Sequence, residues 1–225
     1  MRKTRKAAAI LTAAAMAAVS AAPVMADEIK DLYDYETQAR EVETWNILHS
    51  QSAADLNVLT NLYDGLVEAD EYGKVVPAIA ESWETEDNGI TWTFHLREGV
   101  KWVDQNGNEK GEVTAQDFLT GLEWILNFHK NDAANTSMPM EMIVGAEDYY
   151  NMTSELDADA GFALTAESPE FADTVGIKAI DDYTLQYTCV SEKPYFDTLG
   201  VKLLYPISQG MIDEIGVDGF KAATP

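Results

Sequence analysis

Alternating apolar and polar residues mark two stretches of the chain as β-strands with one buried face. In the first stretch the apolar positions are Trp92, Phe94 and Leu96, and in the second they are Tyr183, Leu185, Tyr187 and Cys189. Asn88-Gly89, a strong hairpin-turn signal, precedes the first stretch, so we predict that residues 82–87 pair with residues 90–97. Asp181-Asp182 separates a second pair of strands. Residues 41–47 are also predicted as a strand.

Apolar residues at helical spacing predict two helices. In the first the apolar positions are Leu56, Leu59, Leu62 and Tyr63, and in the second they are Phe118, Leu122, Ile125 and Leu126. Ser52 and Asp55 are placed as the N-terminal cap of the first helix, which we expect to end at Gly65. Thr114 and Asp117 take the same positions in the second helix. Its interior glycine, at position 121, is a weak point for a helix and a candidate for close packing.

Shorter elements are predicted in the rest of the chain. We expect a short helix at Glu141 to Tyr150, a second whose first turn contains Pro194, and a third that opens at Pro206 and ends near Gly216. The acidic stretch from Thr153 to Glu170 has no strong periodicity. Because strands and helices are mixed along the chain, the predicted fold class is α/β or mixed α+β rather than a helix bundle or a β-sandwich.

The first 26 residues have the pattern of a secretory signal peptide. Four basic residues precede an Ala-rich apolar run from Ala7 to Val19, and Val24 and Ala26 are suited to a cut before Asp27. The apolar run is shorter than the roughly 18–20 residues that a membrane-spanning helix needs. We therefore predict export to the periplasmic or extracellular face of the membrane, with no lipid-anchor cysteine near the cut.

Composition narrows the possible partners. Residues 27–225 carry 11 Lys+Arg and 39 Asp+Glu, a net charge of −28, because four of the 15 basic residues lie in the signal peptide. Nucleic acid and anionic lipid both attract positive charge, so neither is an expected partner. Cys189 is the only cysteine, which excludes an intrachain disulfide. Its place in an alternating strand predicts a buried thiol rather than a nucleophile.

The sequence contains no recognisable catalytic or metal-binding motif. Its three histidines, His49, His95 and His129, lack ligand spacing, and neither a phosphate-binding glycine loop nor a nucleophile-elbow motif occurs. Carboxylates are numerous, but those of the predicted hairpin, such as Glu84 and Glu86, are expected to be solvated rather than paired for catalysis. An enzymatic activity, a metal and a cofactor are therefore not expected.

Five segments in a fixed order resemble the oligopeptide-binding proteins of ABC transporters, which are the family 5 extracytoplasmic solute-binding proteins. The segments are NLYDGLVEADEYGKVVPAIAESWE, WTFHLREGVKW, VTAQDFLTGLEWIL, VGIKAIDDYTLQYT and KPYFDTLGVKLLYPIS. Each is weakly specific alone, but their common order and spacing extend the resemblance from about Glu41 to Pro225. The resemblance implies a two-lobed binding-protein fold of the α/β class with an additional small domain.

The resemblance also implies how the chain is divided. After the signal peptide at 1–26, residues 27–67 and 175–225 are expected in the first lobe and residues 68–174 in the inserted small domain. Family members are usually longer, so the second lobe is expected to follow Pro225 and the chain is expected to be an N-terminal fragment. The predicted hairpin then belongs to the scaffold of the small domain, away from the ligand groove.

Two ligand-contacting loops follow from the resemblance. The loop between the first strand and the first helix corresponds to 49–53, and the substrate-binding residues expected there are Ser50, Gln51, Ser52 and Ala53. The loop after the long helix corresponds to 136–140, where Met138 and Met140 are expected to contact the ligand. Gln51 stands where some peptide binders have an acidic residue, and the methionines stand where they have an aromatic one. The preferred peptide end and length are therefore left open.

The resemblance therefore implies that the protein is the substrate-binding component of an ABC transporter. An extended peptide enclosed between two lobes has its backbone groups satisfied by protein main chain, so binding need not depend on sequence. Lobe closure is a hinge motion, and the closed form is expected to deliver the peptide to the membrane permease. The expected partners are a peptide ligand and the permease subunits, and the protein is expected to be a monomer without a cofactor.

The sequence leaves three other functions open. Within the family that the chain resembles, the solute can instead be a nickel chelate, haem or an oligosaccharide. A secreted glycoside hydrolase also fits the acidity and the tryptophan content, and it requires two carboxylates about 5–10 Å apart in a cleft. A signalling receptor that senses a bound peptide instead of importing it has the same sequence features.

Overall fold

The computed structural model describes residues 41–50, 52–130, 136–201 and 204–222. The predicted signal peptide lies outside the described residues. Within them, no helix has the length and apolar character that crossing a membrane requires. The helices and strands, in chain order, are α1 (Ala53–Leu59), β1 (Val67–Ala69), β2 (Val75–Pro77), β3 (Ala80–Glu86), β4 (Thr91–Leu96), β5 (Lys101–Val103), β6 (Glu109–Glu112), α2 (Ala115–Leu126), α3 (Ser137–Met142), α4 (Ala146–Ser154), α5 (Ala158–Ala163), α6 (Pro169–Ala172), β7 (Ile177–Asp181), β8 (Thr184–Thr188), a 3-10 helix (Phe196–Val201) and α7 (Gln209–Lys221).

β3 and β4 form the hairpin that the sequence predicts. The two strands pair antiparallel, with Glu84 opposite Thr93. The connecting turn holds Asp87 and Asn88 in the left-handed region, at φ angles of 53° and 57°. Asp and Asn adopt this region more readily than other residues with a Cβ, so the local sequence explains the sharp reversal of the chain.

The hairpin is half of a four-stranded antiparallel sheet in the order β3-β4-β8-β7. In the central pair, Trp92 lies opposite Tyr187 and Phe94 lies opposite Leu185, so these four side chains share one face. All four are buried, and the ring of Phe94 packs edge-on to that of Tyr187 at a centroid distance of 6.0 Å. The alternation in the sequence therefore predicted both strands and their buried face correctly.

The larger hydrophobic core draws residues from most of the described chain. It includes, among others, Leu66, Phe118, Tyr149, Leu185 and Phe196. Residues on both sides of the expected domain boundary at 174 share this core and the four-stranded sheet. Within the described residues, 68–174 therefore do not pack as a unit separate from 175–188. The assignment of either segment to a lobe of a larger protein stays a prediction.

Helix α2 lies between two cores and is buried along most of its length. Its residues Phe118, Leu122 and Leu126 belong to the larger core, whereas Trp124 and Ile125 belong to a smaller one. The smaller core also contains Ile47, Leu48, Leu59, Tyr205, Ile207, Ile212 and Phe220. The predicted cap residue Thr114 stands at the start of α2, where it forms a capping box with Asp117. This helix is the element that connects the two halves of the described structure.

Gly121 in α2 is closely approached by the backbone of Tyr205. A Cβ at this position would lie 2.3 Å from the carbonyl oxygen of Tyr205. The backbone N–H of Ile207 also donates to the Asp117 carbonyl at 2.9 Å. A glycine in a helix interior costs about 1 kcal/mol relative to alanine. The contact with Tyr205 explains the glycine, and its predicted close-packing role is confirmed.

The predicted strand at 41–47 is wrong, because a turn occupies its end. The side-chain oxygen of Asn46 accepts from the Leu48 N–H at 3.0 Å, and the Asn46 carbonyl accepts from the His49 N–H at 3.0 Å. Such local bonds from Asn satisfy the backbone groups that a strand ladder would otherwise use. The Asn46 side chain also donates to the Phe220 carbonyl at 3.1 Å, which attaches this turn to α7.

Three helices differ in extent from their predictions. α1 ends at Leu59 rather than near Gly65, in a turn where the Thr60 hydroxyl donates to the Leu56 carbonyl at 2.8 Å. The helix expected at 141–150 is two helices, α3 and α4, separated at Gly145. α7 has a break at Gly216, with φ 77° and ψ 161°, but continues beyond it. The stretch without periodicity contains the two short helices α5 and α6.

Candidate ligand-binding site

In the first candidate loop, residues 49–53, the two serine side chains form hydrogen bonds with Asp55 and with nearby backbone N–H groups. Ser50 is only 3% exposed, and its hydroxyl donates to the Asp55 carboxylate at 2.8 Å while accepting from the Ser52 N–H at 3.2 Å. The Ser52 hydroxyl accepts from the Ala54 N–H at 3.2 Å and caps α1, as predicted. Ala53 is exposed at the start of this helix, and Gln51 lies outside the described residues.

Asp55 connects this loop to the chain that precedes it. Its carboxylate is 2% exposed and accepts from the Ser50 hydroxyl through Oδ2 and from the Glu43 N–H through Oδ1, the latter at 3.1 Å. A buried carboxylate is stable only when donors compensate for lost solvation. The sequence indicated Asp55 as part of a helix cap, but its observed partners lie before the helix rather than in it.

His49 attaches the same loop to α2. The indole Nε1–H of Trp124 donates to His49 Nε2 at 2.9 Å, and the two rings stack with a centroid separation of 6.1 Å. Since an indole N–H can only donate, His49 Nε2 carries a lone pair and the neutral ring has its proton on Nδ1. Trp124 is fully buried, and the ring of Phe220 packs edge-on to it at 4.6 Å. The loop therefore rests on the smaller core.

In the second candidate loop, residues 136–140, the two methionines have different surroundings. Met138 is 37% exposed, whereas Met140 is half-buried and packs against the larger core. Pro139 between them is buried. Of the two predicted residues, Met138 therefore presents the more accessible thioether, and Met140 fixes the position of the loop.

A buried ionic network fixes the end of α2 from which the chain leads to the second loop. Lys130 Nζ lies 2.8 Å from Glu123 Oε2, and the other oxygen of Glu123 accepts from the Tyr149 hydroxyl at 2.8 Å and from the Asn127 amide at 2.9 Å. Lys130 also donates to the Leu164 carbonyl. Burial, together with the negative charge of Glu123, raises the pKa of Tyr149, so its hydroxyl stays a donor.

Sequence reasoning missed this network. The available signal was a glutamate among the apolar positions of α2, with Asn127 and Lys130 four and seven residues further on at helical spacing. The third partner, Tyr149, is 26 residues away and depends on the tertiary fold. The network affects the site by holding a backbone segment in position. Trp124 supports the first loop through His49, and Lys130 fixes the chain just after the C-terminal end of α2.

The residue types that most often bind metals or act as nucleophiles have ordinary structural surroundings where the structure describes them. No group of three or more His, Cys, Asp or Glu side chains is arranged to hold a metal ion there. Glu84, on the hairpin, is exposed as predicted and contacts His95 Nε2 at 3.1 Å. Cys189 is buried as predicted, and burial raises the pKa of its thiol to about 11, so the reactive thiolate is disfavoured.

An open groove of about 580 Å³ lies away from both candidate loops, between α2, α6 and β7. Its walls include Leu119, Val175 and Ile180 with the charged side chains of Glu167 and Lys178. None of its lining residues belongs to 49–53 or 136–140. The candidate ligand-binding residues that the structure describes therefore do not line this groove.

Comparison with known proteins places the chain among solute-binding proteins. A family model described as "Bacterial extracellular solute-binding proteins, family 5 Middle" matches residues 74–224. The chain belongs to this family, which confirms the resemblance seen in the sequence. The named relatives are binding proteins rather than enzymes, in agreement with the predicted absence of catalysis.

The similarity extends over most of this chain but over a smaller part of its relatives. The oligopeptide-binding protein AmiA of Streptococcus pneumoniae is 33% identical over 96% of this chain and 30% of its own length. The chain spans about a quarter to a third of the length of the curated relatives that it matches. This similarity places the chain in the family, although the chain represents only a part of the longer relatives.

Solved structures confirm the fold class. The substrate-binding domain of an oligopeptide ABC transporter from Bacillus anthracis matches with a TM-score of 0.64 at 28% identity, over 80% of this chain and 31% of that one. OppA of Haemophilus influenzae in complex with the peptide RPPGFSPFR matches with a TM-score of 0.60 at 27% identity, over 77% and 30%. The chain therefore has the α/β architecture of part of a two-lobed binding protein.

Proposed function

We propose that the protein is the substrate-binding component of an ABC transporter, which captures oligopeptides and delivers them to a membrane permease. The observation that carries the proposal is the 33% identity to an oligopeptide-binding protein over 96% of this chain, together with the family match over 74–224. The anchored, solvent-facing loops are compatible with a binding role. Export before binding would agree with the extracellular family and with the predicted signal peptide at 1–26.

Within this proposal, the loops 49–53 and 136–140 contact the peptide. Ser52, Ala53 and Met138 are accessible at least in part and would meet the ligand directly, beside Gln51. Ser50 and Met140 point into the protein and would hold the loops in shape. A methionine thioether adapts to different apolar side chains, which suits a binder that need not read one sequence.

Native mass spectrometry tests the proposed ligand class. The protein is purified from its host without denaturation and transferred intact to the gas phase. We expect a distribution of co-purifying peptide masses, because backbone-directed binding accepts many sequences. A single sugar, haem or metal-chelate mass would leave the fold in place and overturn the proposed substrate. The lengths of the released peptides would report the size of the groove.

A further inference from the structure

We propose that the groove between α2, α6 and β7 is a second binding site, which takes an extended polypeptide segment with alternating apolar and basic residues as an additional strand of the sheet. The groove has a volume of about 580 Å³, within the usual range for ligand sites. None of its lining residues belongs to 49–53 or 136–140, so the inference concerns another surface and does not depend on the proposed function.

Strand β7 is the edge of the four-stranded sheet, and one side of it has no neighbouring strand among the described residues. Hydrogen bonds alternate along an antiparallel pair, so every second residue of an edge strand turns its N–H and C=O groups outward. The Thr188 N–H donates to the Gly176 carbonyl at 2.8 Å, which makes this pair a hydrogen-bonded one. Lys178, opposite Gln186, is the next residue that bonds to β8, and Ala179 therefore turns its backbone groups away from β8.

The bonds between β8 and β4 support this assignment. The Leu96 N–H donates to the Tyr183 carbonyl at 2.8 Å, so odd-numbered residues of this stretch bond to β4 and even-numbered ones, such as Gln186, bond to β7. Leu185, which lies opposite Ala179, belongs to the odd-numbered set. The described residues supply no hydrogen-bond partner for the Ala179 N–H and C=O groups. These groups are a template on which a further strand can pair.

A β-bulge places an apolar side chain at this edge. Ala179 lies opposite Leu185 and Asp181 lies opposite Thr184, so Ile180 is the extra residue that the ladder leaves unpaired. Its side chain is 57% exposed, and it lines the groove. A bulge that protects an edge turns it away from partners, whereas here the bulged residue is apolar, exposed and part of the groove.

The lining of the groove combines apolar and acidic side chains. The exposed side chains of Glu167 and Asp173 bring two negative charges against the one positive charge of Lys178. Successive residues of an extended segment point to opposite sides. One set of its side chains can therefore pack on apolar residues while the other set, if basic, reaches the carboxylates. The buried apolar residues of the lining are Leu119, Val175 and Ile177.

The charge of the chain argues against a second copy of itself as the occupant. Residues 27–225 carry 11 Lys+Arg against 39 Asp+Glu. Two copies paired along β7 would bring Glu167 and Asp173 of both toward one edge, and such like-charge contacts are unfavourable. The site is therefore assigned to a basic segment of a different polypeptide.

Isothermal titration calorimetry of the whole protein with the peptide KVKVK, acetylated and amidated at its ends, tests this site. Excess RPPGFSPFR is present to occupy the proposed oligopeptide site, and its three prolines lack the N–H donors that strand pairing needs. We expect saturable binding of KVKVK and at least about tenfold weaker binding of the acidic counterpart EVEVE. Hydrogen exchange measured by mass spectrometry should slow at residues 177–181 when KVKVK binds.

Ala179→Pro and Ala179→Val are the matched variants. Because the Ala179 N–H faces outward, proline keeps the bonds to β8 and removes only the donor to the added strand. We expect Ala179→Pro to raise the half-saturating concentration of KVKVK about tenfold, and Ala179→Val, which keeps the N–H, to leave it within about twofold. Glu167→Lys should weaken the binding of KVKVK and strengthen that of EVEVE.

Several results would overturn the proposal. They are an unchanged half-saturation for Ala179→Pro, equal binding of KVKVK and EVEVE, and no binding of KVKVK to the wild type, as when another part of the whole protein fills the groove. A wild-type dimer in sedimentation that Ala179→Pro abolishes would identify a second copy as the occupant and also contradict it. Should Ala179→Pro fail to fold, KVKVK with every backbone nitrogen methylated decides, and undiminished binding of that peptide counts against strand addition. Failure of RPPGFSPFR to bind bears only on the proposed function.

Discussion

Two buried tyrosines show how strongly the surroundings of one hydroxyl decide its effect on stability. The Tyr187 hydroxyl lies inside the larger core and has no hydrogen-bond partner among the described residues. A buried polar group without a partner costs about 1–3 kcal/mol. We therefore expect Tyr187→Phe to raise the free energy of unfolding by about 1 kcal/mol, because the ring packing is kept and the desolvated hydroxyl is removed. Urea denaturation of the two proteins measures this difference.

Tyr149 supplies the matched control for that prediction. Its hydroxyl is also buried, but it donates to Glu123 at 2.8 Å within the ionic network. The same substitution, Tyr149→Phe, leaves a buried carboxylate oxygen with one donor fewer and should lower the free energy of unfolding by about 1–3 kcal/mol. Equal losses of stability in the two variants would mean that Tyr187 has a partner that it needs.

The first candidate loop shows what can be predicted for individual residues. The cap role of Ser52 follows from local sequence, since a hydroxyl before an amphipathic run meets the free N–H groups of the first turn. The role of Asp55 does not, because its partner Glu43 is twelve residues away across an unpredicted turn. The same holds for Glu123, whose partner Tyr149 is 26 residues distant. Buried polar contacts of this kind depend on the tertiary fold.

Glu112 joins secondary-structure elements that are distant in the sequence. Its carboxylate accepts from the Tyr183 hydroxyl at 2.6 Å, from Lys101 Nζ at 2.9 Å and from the Gly99 N–H at 2.7 Å. The hydrogen bond from Tyr183, followed by those from Lys101 and Gly99, lowers the pKa of Glu112 to about 2. Through these bonds, the two-stranded sheet of β5 and β6 is tied to the start of β8.

A pH dependence of stability follows from this carboxylate. The pKa of Glu112 is about 2 in the folded protein, whereas a glutamate in an unfolded chain has an ordinary pKa of 4.5. The stabilisation is therefore fully present above pH 4.5 and is lost as the pH falls toward 2. Carbon-13 NMR titration of the glutamate carboxyls in protein carrying Tyr183→Phe should show a raised pKa for Glu112. Since Glu112 is accessible to solvent, an unchanged titration in that variant would contradict the role given to Tyr183.

Among the helices and strands, the sequence predicts those that have one apolar face with a regular period. β4 and β8 were predicted from alternation because one face of each packs on the core and the other does not. The division between α3 and α4 was missed, because Gly145 is required by a distant contact: a Cβ there would lie 1.9 Å from the Thr174 carbonyl. A short helix gives too few turns for a period, so α5 and α6 also went unpredicted.

Helix α2 packs against both cores of the described structure, and its residue Trp124 lies under the first candidate loop. The four-stranded sheet with its hairpin packs in the larger core, whereas the first loop contacts the smaller core through His49 and Trp124. The expected role of the hairpin as a scaffold away from a ligand groove stays a prediction.

The relation between this chain and its longer relatives leads to a prediction about affinity. The chain spans about a quarter to a third of their length, and the one groove described above, of about 580 Å³, is lined by none of the residues of the candidate loops. Binding sites for extended peptides gain affinity by burying most of the ligand and pairing its backbone groups. We therefore expect residues 27–225, expressed alone, to bind peptides at least about a hundredfold more weakly than the protein isolated from its host.

A cooperative thermal transition first establishes that residues 27–225 are folded. Isothermal titration calorimetry with RPPGFSPFR then measures the difference in peptide affinity between this segment and the protein from its host. A folded segment with weak or undetectable binding, beside a host protein that binds, would mean that the second wall of the site supplies most of the affinity. Nanomolar binding by the segment would show the opposite, that loops 49–53 and 136–140 suffice. In that case the ligand would be held by one surface, and closure would serve recognition by the permease rather than capture of the peptide.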